Sequence, residues 1–320
     1  MRHLRARRGS AALEAAALMI ALLTGGTLVV GPAAAASSAP AAHAVALAAP
    51  TAAERVKKEL RDLERQLGVR IGAYVIDGGT GQALAYRSGE RFPLTSTFKA
   101  VAAAAVLHKA RTSDPGLMDR VVKWSAAEVK PNSPITEQHV KDGMTIAQLC
   151  HAAITRSDNT AGNMLLKQIG GPAGLTRYFR TLKDPVSRLD RWETDLNSWS
   201  PKERRDTTTP AAIARDLRQL TAGDALSAKD RERLNGWLKA NTTGGARIRA
   251  GLPASWTVGD KTGTGGTYGT ANDIAVAWPR KGAAPVIMAI YTNGRTADAA
   301  TQDKAVADAA RILARGLGRL

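Results

Sequence analysis

The chain has 320 residues, 44% of them hydrophobic, enough to bury one large domain or two closely packed ones. Its formal net charge is +17; the first 36 residues carry Arg2, Arg5, Arg7 and Arg8 against Glu14, hence +3, which leaves +14 for the rest. The basic residues are scattered, with no block of five or six, and aromatics are only 4%, so the composition argues against a nucleic-acid partner and allows at most loose attraction to anionic polymer.

Residues 1–36 read as an export signal: the four arginines, an apolar run from Leu18 to Val30, then small residues in "GPAAAASSAP". The apolar run is short and gives way to Ala, Ser and Pro, which predicts no stable membrane anchor. Arg7-Arg8 followed by "GSAALE" is a poor twin-arginine signal, so the general secretory route and an extracytoplasmic location are expected. Residues 37–50 are Ala/Pro-rich and predict no regular structure. The single cysteine, Cys150, cannot form an intramolecular disulfide and sits on the apolar side of a helix, as a buried thiol would.

Order is expected from Thr51. "TAAERVKKELRDLERQLG" places Val56, Leu60, Leu63 and Leu67 on one helical face, with Gly68 as the stop. "VRIGAYVIDGGTGQALAYRSG" reads as a hairpin. From about residue 96 to 245 the pattern is mostly helical, with a capping box at Thr145 and Gln148, a helix end at Gly170-Gly171 and a threonine-proline helix start in "TTTPAAIARDLRQL". After residue 255, two stretches hold three strands, and "QDKAVADAARILARGL" is a final amphipathic helix. The expected fold class is α/β (α+β) with two lobes in a domain over 51–318. An antiparallel five-stranded sheet with the N- and C-terminal helices comes from 51–93 and 246–318, an all-helical lobe from 94–245, and the cleft between them is the natural site.

Four stretches carry chemistry. Ser96 and Lys99 are spaced S-x-x-K, which puts a hydroxyl and an amine on one helical face. A serine is a poor nucleophile until a base takes its proton, and a lysine at its ordinary pKa is almost never free to do so. Desolvation and neighbouring cations would lower that pKa; a carboxylate partner would instead leave the base to another group. Alone the spacing equally fits a lysine reaching for solvent. Ser157-Asp158-Asn159 stands between two helices, where Asp158 or Asn159 would also serve as a helix cap. Glu193 and Asn197, four apart in "RLDRWETDLN", would hold one water between an acid and an amide, or lie in an ordinary surface loop. Lys261-Thr262-Gly263 offers a cation, a hydroxyl and open backbone to an anionic group, or forms a turn.

Taken together, in this order and at these spacings, the four stretches resemble the class A serine β-lactamases of the penicilloyl serine transferase superfamily. The resemblance runs over about residues 52–318 and takes in "GMTIAQLCHAAITRSDNTAGNMLL", "RDTTTP", "IRAGLP" and "NDIAVAWP". It implies hydrolysis of a β-lactam amide through an acyl-enzyme on Ser96, with Lys99 or Glu193 as the acylation base and Glu193 with Asn197 holding the deacylating water. It further implies Ser157 as the proton relay beside Lys261, and the backbone N–H groups of Ser96 and Thr264 as an oxyanion hole. Asn159, Thr262, Gly263, Thr264 and Arg247 would bind substrate. Some relatives place the arginine on the strand after K-T-G; here that stretch is "TYGTAND", so Arg247 takes the role and Arg249 is structural. Arg191 and Asp206 resemble the ion pair that closes the family's Ω-shaped loop.

Four departures bear on substrate preference. Thr194 follows the glutamate where many relatives carry proline after a cis bond. Asn132 stands where many carry an aromatic gate. "TGTGGTYG" is about one residue longer than in some relatives. Thr95 and Gly265 occupy two positions that are cysteines in some carbapenem-hydrolysing relatives. No metal or other cofactor is expected, the partners are small β-lactam molecules, and the chain is expected to be a monomer. The competing readings are a D-alanyl-D-alanine peptidase or penicillin-binding protein, and a β-lactam sensor that acylates and stalls. The Glu193–Asn197 pair favours the hydrolase over the peptidase.

Overall fold

The computed structural model describes Gly31 and residues 50–320; the expected export signal and the Ala/Pro-rich stretch after it lie, apart from Gly31 and Pro50, outside the described residues. The described residues open with α1 (Ala52–Leu67), β1 (Val69–Asp77), β2 (Ala83–Tyr86), the two-residue β3 (Phe92–Pro93) and α2 (Phe98–Thr112). It continues through β4 (Val121–Val122), β5 (Met144–Thr145), α3 (Ile146–Thr155), α4 (Asn159–Gln168) and α5 (Gly171–Thr181). Then come β6 (Thr207–Thr208), α6 (Pro210–Thr221), α7 (Ala228–Lys239) and the short α8 (Ile248–Gly251). It ends with β7 (Thr257–Thr264), β8 (Ala271–Trp278), β9 (Val286–Gly294) and α9 (Asp303–Gly316).

Local chemistry sets the helix ends. Thr51 and Glu54 form a reciprocal capping box on α1, and Gly68 closes the helix in the left-handed region at φ 64°. The capping box read at Thr145 and Gln148 opens α3. Thr209 caps α6, with Pro210 at its first position.

The sheet has the order β2-β1-β9-β8-β7 and is antiparallel throughout. Its two faces follow the period of two along each strand. On β9, Val286, Met288 and Ile290 join the core made with α1 and α9, among them Leu60 and Leu313, both fully buried. Each such leucine contributes about 1.5–3 kcal/mol. Ile287, Ala289 and Tyr291 face the other way, into the helical core. There α2 is buried continuously from Phe98 to Leu107, as befits a helix apolar all round. One detail differs from the expected division at residues 94–245: α6 lies directly on β1, β8 and β9 and covers the sheet's second face. That face is apolar, so an element of the helical block has to cover it.

Candidate active site

Ser96 lies in a single 3₁₀ turn, Thr95–Thr97, that leads into α2. Lys99 follows in the first turn of α2, three residues on and on the same side, so its amine reaches back to the Ser96 hydroxyl. The turn is pinned from the sheet. Asn272 on β8 donates to Pro93 O (2.8 Å) and Thr95 Oγ1 (3.1 Å), and Thr97 Oγ1 shares a 2.9 Å hydrogen bond with Tyr291 OH on β9. Gly263 on β7 has to be glycine here, because a Cβ would run into Thr95 Oγ1.

Lys99 is fully buried, and its ammonium is saturated with acceptors. It donates to Ser96 Oγ (2.9 Å), Ser157 O (2.8 Å) and Asn159 Oδ1 (2.6 Å), and it pairs with Glu193 Oε1 at 2.9 Å. Burial pulls its proton affinity down, and the Glu193 carboxylate opposes that pull. Gly162 on α4 makes room for the lysine stem, since a Cβ there would sit 2.8 Å from Lys99 Cε.

Asp158 is the N-cap of α4, as one sequence reading had it, and accepts from Ala161 N (2.9 Å). It also accepts from the backbone of Ile135 (3.0 Å) and Thr136 (2.9 Å), and so ties the 130–136 segment to the helix. Ser157 beside it adopts φ 56°. Its hydroxyl accepts a 3.0 Å hydrogen bond from Lys261 Nζ, which also donates to Thr262 O (2.7 Å). Lys261 is fully buried; burial first, then the charge of Lys99, lower its pKa to about 7, against the pull of Asp260 and Asp273. Those two acids are themselves fully buried, and burial raises both their pKa values.

Glu193 comes from a loop between α5 and β6. Its side chain is buried, with Oε1 3.4 Å from Ser96 Oγ and Oε2 accepting from Asn197 Nδ2 at 2.7 Å. Asn197 Oδ1 is buried and has no protein partner. The backbone of Glu193 is bracketed by one amide: Asn163 Oδ1 accepts from Glu193 N (2.9 Å) and Asn163 Nδ2 donates to Glu193 O (3.0 Å). The Glu193–Thr194 peptide is cis. At the neck of the loop, Asp206 pairs with Arg191 Nε at 2.6 Å and accepts from the N–H groups of Asp190 (2.7 Å) and Arg191 (2.9 Å).

Ser96, Ser157, Asn159, Arg247, Thr262 and Thr264 line a common cavity of about 420 Å³, with Asn132 at its wall. Arg247 is held there by Asp303 (2.8 Å), by Gly263 O and Asn272 O (2.8 Å each), and by Thr264 Oγ1 (2.7 Å). Arg249 turns away to Asp260, so of the two arginines only Arg247 reaches the cavity. A basic, hydroxyl-rich wall thus faces a serine that touches a buried lysine and a buried glutamate.

The model of the Beta-lactamase enzyme family matches residues 55–317. The chain belongs to the class A β-lactamases. It is 52% identical over 257 residues to Beta-lactamase AST-1 of Nocardia asteroides, covering 80% of this chain and 82% of that one. It is 48% identical to the carbapenem-hydrolyzing beta-lactamase KPC of Klebsiella oxytoca, covering 82% and 89%. Among solved structures, a beta-lactamase from Streptosporangium roseum superposes with a TM-score of 0.82 at 72% identity, covering 83% of this chain and 99% of that one. A mutant of the class A beta-lactamase of the last common ancestor of Gram-negative bacteria superposes at 0.78 with 49% identity, covering 82% and 98%.

In this β-lactamase, then, the sequence-predicted side chains Ser96, Lys99, Ser157, Asn159, Glu193, Asn197 and Lys261 converge, with Arg247, Thr262 and Thr264 on the adjoining wall. Arg191 and Asp206 meet at the loop neck, outside that cluster. Sequence reasoning missed Asn163, whose signal was its place one helical turn after Asn159 on the same face of α4. It also missed Thr243, whose hydroxyl lies 2.5 Å from that of Thr262. Among the described residues no group of three or more His, Cys, Asp or Glu side chains could hold a metal, and no helix is long and apolar enough to cross a membrane.

Proposed function

We propose that this β-lactam hydrolase works through an acyl-enzyme on Ser96 and a water-driven deacylation directed by Glu193. The observation that carries the reading is the buried Glu193 carboxylate, which touches Ser96 and Lys99 with one oxygen and Asn197 with the other. Ser96 Oγ attacks the lactam carbonyl carbon, and its proton passes into the Lys99–Glu193 pair. The backbone N–H groups of Ser96 and Thr264 stabilise the developing oxyanion; one such donor is typically worth ~10²–10³ in rate. The C–N bond breaks as the ring nitrogen takes a proton from Ser157, whose hydroxyl is held by Lys261 and is restored by the proton that Ser96 gave to the Lys99–Glu193 pair. Arg247 and Thr262 hold the substrate carboxylate, and Asn159 the side-chain amide.

In the second half, a water held by Glu193 and the free Oδ1 of Asn197 attacks the ester. Glu193 takes its proton, and Ser96 Oγ regains one as the product acid leaves. A peptidase would share the serine and lysines but has no use for a second acid so placed. Arg191 and Asp206 hold the loop that presents this acid. The pattern of residues 1–36 supports export, and the chain is proposed to act as a monomer without a cofactor.

The test is Glu193→Gln with a chromogenic cephalosporin. A stoichiometric burst and a mass adduct on Ser96, with turnover lost, are expected. Continued fast turnover would sink the assignment.

A further inference from the structure

We infer that a second cavity, outside the catalytic cleft, is a binding site for an anion that carries its charge on phosphate groups. This cavity, of about 450 Å³, lies where β1 begins and β9 ends, against Trp199 and Pro201 of the Ω loop. Its volume is in the ordinary range of small-molecule sites, about 300–1,000 Å³. Four guanidinium groups line it, those of Arg70, Arg87, Arg91 and Arg295, against a single carboxylate, Glu64.

The charges do not cancel. Arg87 is paired with Glu64 (2.9 Å) and Glu90 (3.0 Å), and Arg70 with Glu90 (2.9 Å). Both oxygens of Glu64 are already taken, by Ile71 N, Tyr86 OH and Arg87. Those two acids therefore neutralise Arg70 and Arg87. Arg91 and Arg295 form no contact ion pair among the described residues, although the Asp184 charge acts on Arg91 from further off, so the cavity lining holds two guanidinium groups with no carboxylate in contact.

Donors are left over as well. A guanidinium has five N–H groups. Arg91 uses only Nη1, toward Val186 O (3.0 Å) and Thr207 Oγ1 (2.9 Å), so its Nε and Nη2 remain free. Arg70 stacks on the Phe92 ring at 3.8 Å and also donates to Asn293 Oδ1 (3.1 Å) and Arg91 O (3.1 Å), which fixes one wall of the cavity. Burial and then the charges of Arg204 and Arg188 lower the proton affinity of Arg91, against a smaller pull from Asp184, and a bound anion would relieve the repulsion. Two free guanidinium forks match the oxygens of a phosphate group.

The ligand is either a free phosphate compound or a phosphate carried on a polymer. Titration calorimetry at fixed ionic strength, with inorganic pyrophosphate in one arm and poly(glycerol phosphate) in the other, distinguishes the two. Saturable binding is expected in at least one arm. It should weaken about tenfold or more in Arg295→Gln, at an exposed position on the rim, and further in Arg91→Gln, while kcat/KM for a cephalosporin is unchanged in Arg295→Gln. Arg91 also braces Val186 and Thr207, so the Arg295 variant keeps the test valid if Arg91→Gln fails to fold. No saturable binding in either arm overturns the proposal. So does binding that both variants leave intact, or that only competes with substrate in the catalytic cleft.

Discussion

The neck of the Ω loop offers a sharp test of how Glu193 is held. Asp206 is 1% exposed, and its carboxylate accepts three hydrogen bonds, from Asp190 N, Arg191 N and Arg191 Nε. Arg191 in turn donates to Ser198 O (3.2 Å), so one ion pair ties both ends of the segment that carries Glu193 and Asn197. Asp206→Ala removes the acceptor and leaves two backbone N–H groups and a partly buried guanidinium unpaired. Breaking a buried pair from one side costs about 3–5 kcal/mol, and the partial exposure of Arg191 puts the expectation at the lower end. For a chain of this size that lowers Tm by roughly 6–12 °C. Asp206→Asn keeps an acceptor for the two backbone N–H groups but turns a donor toward Arg191, so it should fall between. The kinetic effect is larger than the thermal one, because a misplacement of about 1 Å at the reacting groups can cost ~10²-fold. Lys99 keeps its bonds to Ser96, Ser157 and Asn159, so acylation should suffer less than deacylation. Stopped-flow mixing with a chromogenic cephalosporin should show a burst equal to the enzyme concentration, then slow turnover. If Asp206→Ala turns over within about twofold of the parent and shows no burst, the loop is not what positions Glu193.

Three further outcomes follow from buried groups. Asn163→Ala leaves the N–H and C=O of Glu193 unpaired at about 1–3 kcal/mol each, so Tm should drop and acyl-enzyme accumulate; unchanged single-turnover deacylation would refute the bracket. Lys261 loses its charge as pH rises through about 7, so kcat/KM for an anionic substrate should decline above that pH, and Lys261→Arg should flatten the decline; a parent profile that stays level well into the alkaline range would contradict it. Asp216 is 1% exposed, and burial first, then neighbouring Asp184, raise its pKa to about 10. The folded chain then holds a proton that the unfolded chain loses near pH ~4, so this group makes stability fall as pH rises between those values. Asp216→Asn removes that slope, and denaturant titrations at about pH 5, 7 and 9 should show the variant gaining on the parent with pH; a constant difference would refute it.

What was legible in the sequence is what local chemistry encodes. The three strands after residue 255, the capping box at Thr145 and the S-x-x-K spacing are short-range patterns, and each is present as an element or contact. The two-residue ribbons pairing β3 with β6 and β4 with β5 are too short to show a period. The bracket of Asn163 around Glu193 joins residues 30 apart in sequence, and nothing in either neighbourhood announces the other. Asp158 was open to a simple capping role, which it fills; its bond to Thr136 reaches a residue 22 positions earlier in the chain, a meeting that the fold alone decides. Asp260 sits beside Lys261 in the polar β7 and Asp273 in the largely apolar β8; their bonds to Arg249 and to Ile248 N join residues 11 and 25 apart, so neither pairing shows in the local sequence.

The arrangement also explains why a fully buried lysine is tolerable beside the serine. Lys99 is closed on all sides by acceptors, and Glu193 balances its charge, so at rest the pair is neutral as a unit. When Ser96 attacks in the proposed mechanism, its proton joins that pair and makes it positive by one charge, while the lactam oxygen becomes negative by one a few bonds away. The buried site thus stays electrically balanced throughout acylation, with no ion left uncompensated in a low dielectric. Replacing Glu193 with a neutral residue removes this balance as well as the water base. The Lys99 ammonium then loses the partner that opposes desolvation, its proton affinity falls further, and a neutral amine is left to take the serine proton directly. Acylation is therefore expected to survive in Glu193→Gln while deacylation fails. The same charge argument thus predicts a stalled acyl-enzyme rather than a dead serine.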